Sequence, residues 1–138
     1  LALLARREHG VDELARRLVA KGCDPLLARE VADELAGEGL ADDRRFAEGY
    51  AHGRAERGLG PVRIAHELRE RGLPGERIRE ALAPYEGEWQ ERMERARSKQ
   101  FGPAPRARDA RLRQARFLDY RGFPRELVRA WLERGDSE

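Results

Sequence analysis

The chain has 138 residues, of which 39% are charged and 7% aromatic, so it lacks the apolar bulk for one large core, yet its 40% hydrophobic content, periodically placed, excludes disorder. Its formal charge of +2 is unevenly spread, from −3 over residues 1–50 through +2 over 51–100 to +3 over 101–138, which points to a localised basic surface. The single cysteine, Cys23, excludes an internal disulfide framework and a cysteine-type zinc site, and the apolar run at residues 1–5 is too short to span a bilayer, so a cytoplasmic protein without a membrane segment is expected.

Leu1, Leu4 and Ala5 share one side of a short helix over residues 1–8 that His9-Gly10 interrupts; the chain opens on leucine rather than methionine, so this helix reads as truncated. A second helix carries Leu14, Leu18 and Val19 on one face and stops at Gly22. Asp24 is placed to cap a third with Pro25 in its first turn; Leu27, Val31 and Leu35 form its stripe, and Gly37 and Gly39 end it. Asp42 and Asp43 oppose the positive end of a fourth helix's dipole, with Phe46, Ala47 and Tyr50 following at helical spacing and a stop near Gly58. Pro61 opens a fifth, with Ile64 and Leu68 four apart and Gly72 as its stop. Pro74-Gly75 begins a sixth with Ile78, Ala81 and Leu82 inward, broken over residues 83–87. Trp89, Met93 and Ala96 mark a seventh, ending at Phe101-Gly102 before a proline-containing turn at 102–105. An eighth runs from Arg106 to Arg121 with Ala107, Ala110, Gln114 or Ala115, Phe117 and Leu118 inward. Pro124 opens the ninth, which Leu127, Val128, Trp131 and Leu132 line on one side, and residues 135–138 read as a frayed tail.

One motif recurs through this series. Leu-x-x-(Lys/Arg)-Gly appears as Leu18, Lys21, Gly22, again as Leu68, Arg71, Gly72, and again as Leu118, Arg121, Gly122, each followed closely by Pro25, Pro74 or Pro124. The spacing predicts an all-α chain of three tandem three-helix repeats, helix-turn-helix-like, over residues 1–39, 40–87 and 88–138, the first truncated at its N-terminus and the third carrying a basic strip. Three short helices bury too little apolar surface to be secure alone, so neighbouring blocks are expected to lean on each other.

The ordered set Leu40-x-Asp42-Asp43-x-Arg45-Phe46-Ala47, then Gly58-x-Gly60-Pro61-x-Arg63-Ile64-x-x-Glu67-Leu68-x-x-Arg71-Gly72, resembles the central signature of the bacterial RecX regulatory proteins. Leu14 to Gly22 resembles the family's first repeat, and Lys99-x-Phe101-Gly102 with residues 115–123 its third, so the resemblance covers nearly the whole chain. It departs from the pattern at Gly10, where a serine cap is expected, at the polar Gln114, and in the prolines of 102–105. The resemblance implies an elongated, curved array. It also implies a protein that binds the RecA recombinase and its filament on single-stranded DNA, restraining ATPase, strand-exchange and coprotease activities; with no phosphate-cradling loop and no convincing metal set in the residues, no catalysis or cofactor of its own is expected, and the chain is expected to act as a monomer. The alternative that the residues leave open is a helical module acting directly on single- or double-stranded DNA.

The candidate contact surface is a strip of eight cations against one acid, Asp109: Arg95, Arg97, Lys99, Arg106, Arg108, Arg111, Arg113 and Arg116. Such a strip suits a polyanion or an acidic protein surface, and arginine's planar fork suits bidentate contacts to either. Arg106, Arg108, Arg111 and Arg113 are expected to be solvated, being off the apolar stripe; Arg63, Arg69 and Arg71 of the middle repeat are secondary candidates. Asp42, Asp43 and Glu48 near His52 have the residue types for Mg²⁺, but capping accounts for the aspartates more simply, and no metal site is expected. The tryptophans and phenylalanines fall on apolar stripes and read as core, leaving Tyr120, off the stripe beside Arg121, open between packing and base stacking.

Overall fold

The computed structural model describes residues 12–137, and the side chains of all of these except 40, 41, 136 and 137. Among the described residues every regular element is a helix: α1 (residues 12–20), α2 (Pro25–Glu56), α3 (Pro61–Glu70), α4 (Gly75–Leu82) with the 3-10 turn Ala83–Tyr85, α5 (Trp89–Phe101), α6 (Arg108–Tyr120) and α7 (Arg125–Ser137). The helix expected over residues 1–8, with His9 and Gly10, lies outside the described residues.

Four helices end in one device, and that device is the physical content of the repeated motif. At the end of α6 the Phe123 N–H donates to the Leu118 carbonyl at 3.2 Å and the Gly122 N–H to the Asp119 carbonyl at 3.0 Å. The same pair of bonds closes α1 at Gly22, α2 at Gly58 and α3 at Gly72. This Schellman pairing needs a left-handed residue just past the helix, and the four glycines have φ between +86° and +98°. The motif's leucine is the residue whose carbonyl the longer bond closes on. At the other end, the Asp24 carboxylate accepts from the backbone N–H groups of Leu26 (3.0 Å) and Leu27 (3.3 Å), so it caps α2 with Pro25 in the first position as its sequence predicts.

The third and fourth helices of the sequence reading are one continuous helix, α2. Gly37 and Gly39 do not stop it: neither has positive φ, and no proline follows until Pro61. A glycine inside a helix costs only about 1 kcal/mol, less than breaking a helix whose neighbouring turns are good formers. Asp42 and Asp43 therefore sit in the interior of α2 rather than at a helix start. Residues 135–137 belong to α7 rather than to a frayed tail. With α2 contributing to both the first and the second repeat, the fold is an all-α array of tandem three-helix repeats.

The chain divides into two compact units. One comprises residues up to Gly49 with Leu68–Ala81, and buries Ala28, Ala32, Ala47, Leu68, Leu73, Ile78 and Ala81. Leu68 is fully buried, as its place on the stripe of α3 predicts. Leu27 and Leu35 are about half exposed, because the buried face of α2 lies one residue further along, at Ala28 and Ala32; Phe46 is likewise exposed beside buried Ala47.

The second unit comprises Tyr50–Glu67 with the chain from Leu82 onward, and its core is Met93, Ala115, Leu118, Phe123, Val128 and Trp131. Here the start of α3 meets the end of α6. The Gly60 N–H donates to the Arg121 carbonyl at 2.8 Å and the Val62 N–H to the Gly122 carbonyl at 2.9 Å, so donors left over at one helix start satisfy acceptors left over at another helix end. The approach leaves no room for side chains: a β-carbon on Gly122 would lie 2.5 Å from the Arg63 nitrogen.

Candidate functional site

Six of the eight cations in the strip are on the surface and two are not. Arg95 and Lys99 are exposed on α5, and Arg106, Arg108, Arg113 and Arg116 are exposed before and along α6. Arg95 pairs with Glu91 at 2.9 Å and Arg113 with Asp109 at 3.9 Å, both exposed pairs of small worth. Arg111 is buried, against the expectation that it is solvated. Its Nη1 donates to the Pro105 carbonyl at 3.0 Å and its Nη2 to the Trp131 carbonyl at 2.5 Å, while the guanidinium lies 4.1 Å from the Trp131 ring centroid. A β-carbon at Gly135 would overlap this guanidinium, so the glycine in α7 is what makes space for it.

Arg97 is buried as well. Its Nε donates to both Glu94 oxygens at 2.8 Å and its Nη1 to Gln114 Oε1 at 2.9 Å. Gln114, the polar departure from the family pattern, is thus the partner of a buried arginine rather than a packing defect, which is how a polar group becomes tolerable in the interior. The fully buried face of α6 is Arg111, Gln114, Ala115 and Leu118, with Phe117 partly buried against the same core, while Ala107 precedes the helix and is exposed. Counting back from the repeated leucine by four and seven residues reaches Gln114 and Arg111, so the helical period carried the signal; the charge of the side chain obscured it.

The structure also gathers arginines that the strip omitted. In the second unit, Glu67 accepts from Tyr50 Oη at 2.8 Å, from Arg54 Nε and Nη2 at 3.0 Å each, and from Arg63 Nε at 3.1 Å. Burial alone would raise the Glu67 carboxyl, but the hydrogen bonds from Arg54, Tyr50 and Arg63 outweigh it and hold the pKa at about 2. Because this folded-state value lies below the ordinary 4.5, the network's contribution to stability is present above about pH 4.5 and is lost as pH falls toward 2. The gap in denaturation midpoint between wild type and Glu67→Gln should therefore be wide near neutral pH and close at the acid end; a gap independent of pH would show that Glu67 is not held as an anion by these donors.

Arg63, a secondary candidate, donates to the Tyr120 carbonyl at 3.3 Å and stacks on the Tyr120 ring at 4.9 Å. Arg69 and Arg71 are exposed. Arg121, the cation of the repeated motif, donates to the Arg57 carbonyl at 3.2 Å and so caps the end of α2. Of the aromatic residues, Trp131 and Phe123 are core, Phe101 is partly exposed with an edge-on contact to Phe117 at 5.1 Å, and Tyr120 is 73% exposed. Cys23 is half-buried in the turn between α1 and α2. Asp42 makes a long, exposed pair with Arg45 at 4.0 Å, and among the described residues no group of three His, Cys, Asp or Glu gathers as a metal would need. No helix among the described residues is long and apolar enough to cross a membrane.

Comparison with known proteins agrees with the motifs. Residues 42–82 match the family described as RecX, second three-helix domain. The chain is 46% identical to Regulatory protein RecX of Halorhodospira halophila over 139 aligned residues, covering 100% of this chain and 86% of that protein. It is 42% identical to Regulatory protein RecX of Pseudomonas savastanoi pv. phaseolicola (91% of this chain, 82% of that one) and 39% identical to that of Pseudomonas fluorescens (99% and 88%).

Proposed function

The chain belongs to the RecX family of regulatory proteins, and on that premise we propose that it binds the RecA recombinase and its filament on single-stranded DNA. Bound there, it restrains the filament's ATPase, strand-exchange and coprotease activities, acting in the cytoplasm as a monomer with no catalytic chemistry of its own. The observation that carries this reading is the 46% identity to a RecX regulatory protein across the whole chain, which extends far beyond any one motif.

The contact surface in this reading is the exposed part of the third-repeat strip: Arg95, Lys99, Arg106, Arg108, Arg113 and Arg116. Arg97 and Arg111 support it from inside and do not touch the partner. Arg106, Arg108 and Arg116 are exposed on or next to one helix, so an acidic groove of the filament meets guanidinium groups already presented on the surface. Reversing Arg106, Arg108, Arg113 and Arg116 to glutamate should leave the far-ultraviolet helical signal intact and abolish inhibition of RecA's DNA-dependent ATPase. A folded variant that inhibits as strongly as wild type places the interface elsewhere.

A further inference from the structure

Two clefts in the second unit share Arg57, Phe117 and Arg121 and so form one continuous surface. The larger, about 370 Å³, adds Arg92, Arg95 and Lys99 to these and has a single acidic residue, Glu56, in its wall. The other adds Arg54, Arg63 and Tyr120 and has none. Several of these cations are already committed: Arg54 and Arg63 to Glu67, Arg92 to Glu88 and Glu56, Arg95 to Glu91. Arg57 and Lys99 have no carboxylate partner among the described residues, and Arg121 bonds only a carbonyl while lying 4.9 Å from the Phe117 ring.

We propose that this surface binds single-stranded nucleic acid directly, with backbone phosphates on Arg57, Lys99 and Arg121 and an unstacked base on the open face of Tyr120. Charge alone does not choose between a nucleic acid and an acidic protein; the tyrosine does. Tyr120 is 73% exposed, and Arg63 covers its ring from one side at 4.9 Å, which leaves a π face beside cations that lack counter-charges. A single strand offers both phosphates and base faces to such a surface, whereas a duplex hides the base faces and a run of acidic side chains has no aromatic face to stack on the ring. Two of the side chains around the ring are also fixed in advance. Arg121 is held by the Arg57 carbonyl, and Arg63 by Glu67 and the Tyr120 carbonyl, so little side-chain freedom remains to be lost on binding.

This site does not depend on the reading of RecA as partner, and its test contains no RecA. Binding of the full chain to a fluorescein-labelled oligothymidylate is followed by anisotropy across a salt series. Wild type should bind with a slope of log affinity against log salt near −2, from three phosphates at about −0.7 each. Tyr120→Ala should weaken binding roughly tenfold, the usual effect of losing one base–aromatic stack, while Tyr120→Phe binds as wild type. Arg57→Ala with Lys99→Ala should instead flatten the salt slope by about 1.4. Both sets of positions are exposed, so the helical signal is retained. The proposal is overturned if wild type does not bind the oligonucleotide, if Tyr120→Ala binds as tightly as wild type, or if polyglutamate competes as well as unlabelled oligothymidylate. The last result would reassign the surface to an acidic protein.

Discussion

Gly122→Ala should lower the stability of the fold by about 4 kcal/mol or more, a large effect for the addition of one methyl group. Gly122 has φ +89°, and an alanine held there costs about 1–3 kcal/mol from the backbone conformation alone. The rest comes from the crossing of α3 and α6. A β-carbon on Gly122 overlaps the backbone of Arg63, and backbone cannot swing aside as a long side chain can. Moving the two segments apart breaks the bonds from Gly60 N–H to the Arg121 carbonyl and from Val62 N–H to the Gly122 carbonyl, at about 1 kcal/mol each or more if the groups stay dry. Gly87→Ala provides the control. Gly87 also has positive φ, at +83°, but open space surrounds the position a β-carbon would take, so only the conformational cost applies. The denaturant midpoint of Gly122→Ala should fall well below that of Gly87→Ala; equal midpoints would show that the crossing yields without cost.

What could be read in the sequence was what local chemistry decides. A Schellman terminator is complete within six residues, so Leu118 to Phe123 carries its own instructions, and the same holds for Gly22, Gly58 and Gly72. Asp24 before Pro25 is equally self-contained. Gly37 and Gly39 were misleading for the complementary reason. A glycine alone only weakens a helix, and the stop requires the left-handed turn that, at the other sites, is followed within three residues by a proline.

The candidate site was legible only in outline, because its decisive contacts join distant parts of the chain. Arg63 meets Tyr120 across 57 residues and Arg121 meets Arg57 across 64, and neither pairing has a sequence period to betray it. Arg54, Glu67 and Tyr50 form a buried-edge network whose members look like ordinary surface residues of two amphipathic helices. In the strip the side-chain charge masks the helical position. Arg97 and Arg111 are cations, which are usually at the surface, but they stand at helical positions that face the core.

Arg111 therefore sets a sharper expectation than any other cation in the strip: Arg111→Glu should destabilise by about 4 kcal/mol or more, whereas Arg113→Glu, two residues along the same helix, should stay within about 0.5 kcal/mol. The guanidinium of Arg111 donates to the carbonyls of Pro105 and Trp131 and lies over the Trp131 ring, so a carboxylate in its place faces two acceptors and an electron-rich ring with no donor to pair it. Its Nε, packed toward Gly135, already lacks an acceptor, so the site holds the side chain through shape and two strong bonds with no slack. Arg111→Met separates the two causes. It keeps most of the volume and introduces no charge, so its loss should be limited to the unpaired carbonyls, about 1–3 kcal/mol. Urea midpoints in the order Arg113→Glu, Arg111→Met, Arg111→Glu, from most to least stable, are the expected result, and an Arg111→Glu protein as stable as Arg113→Glu would put Arg111 in solvent. The order also governs how activity data on the strip are read. A reversal that includes Arg111 removes the packing of α7 on α6 together with the charge, so loss of RecA inhibition in that variant reports unfolding, and only the set without Arg111 reports contact.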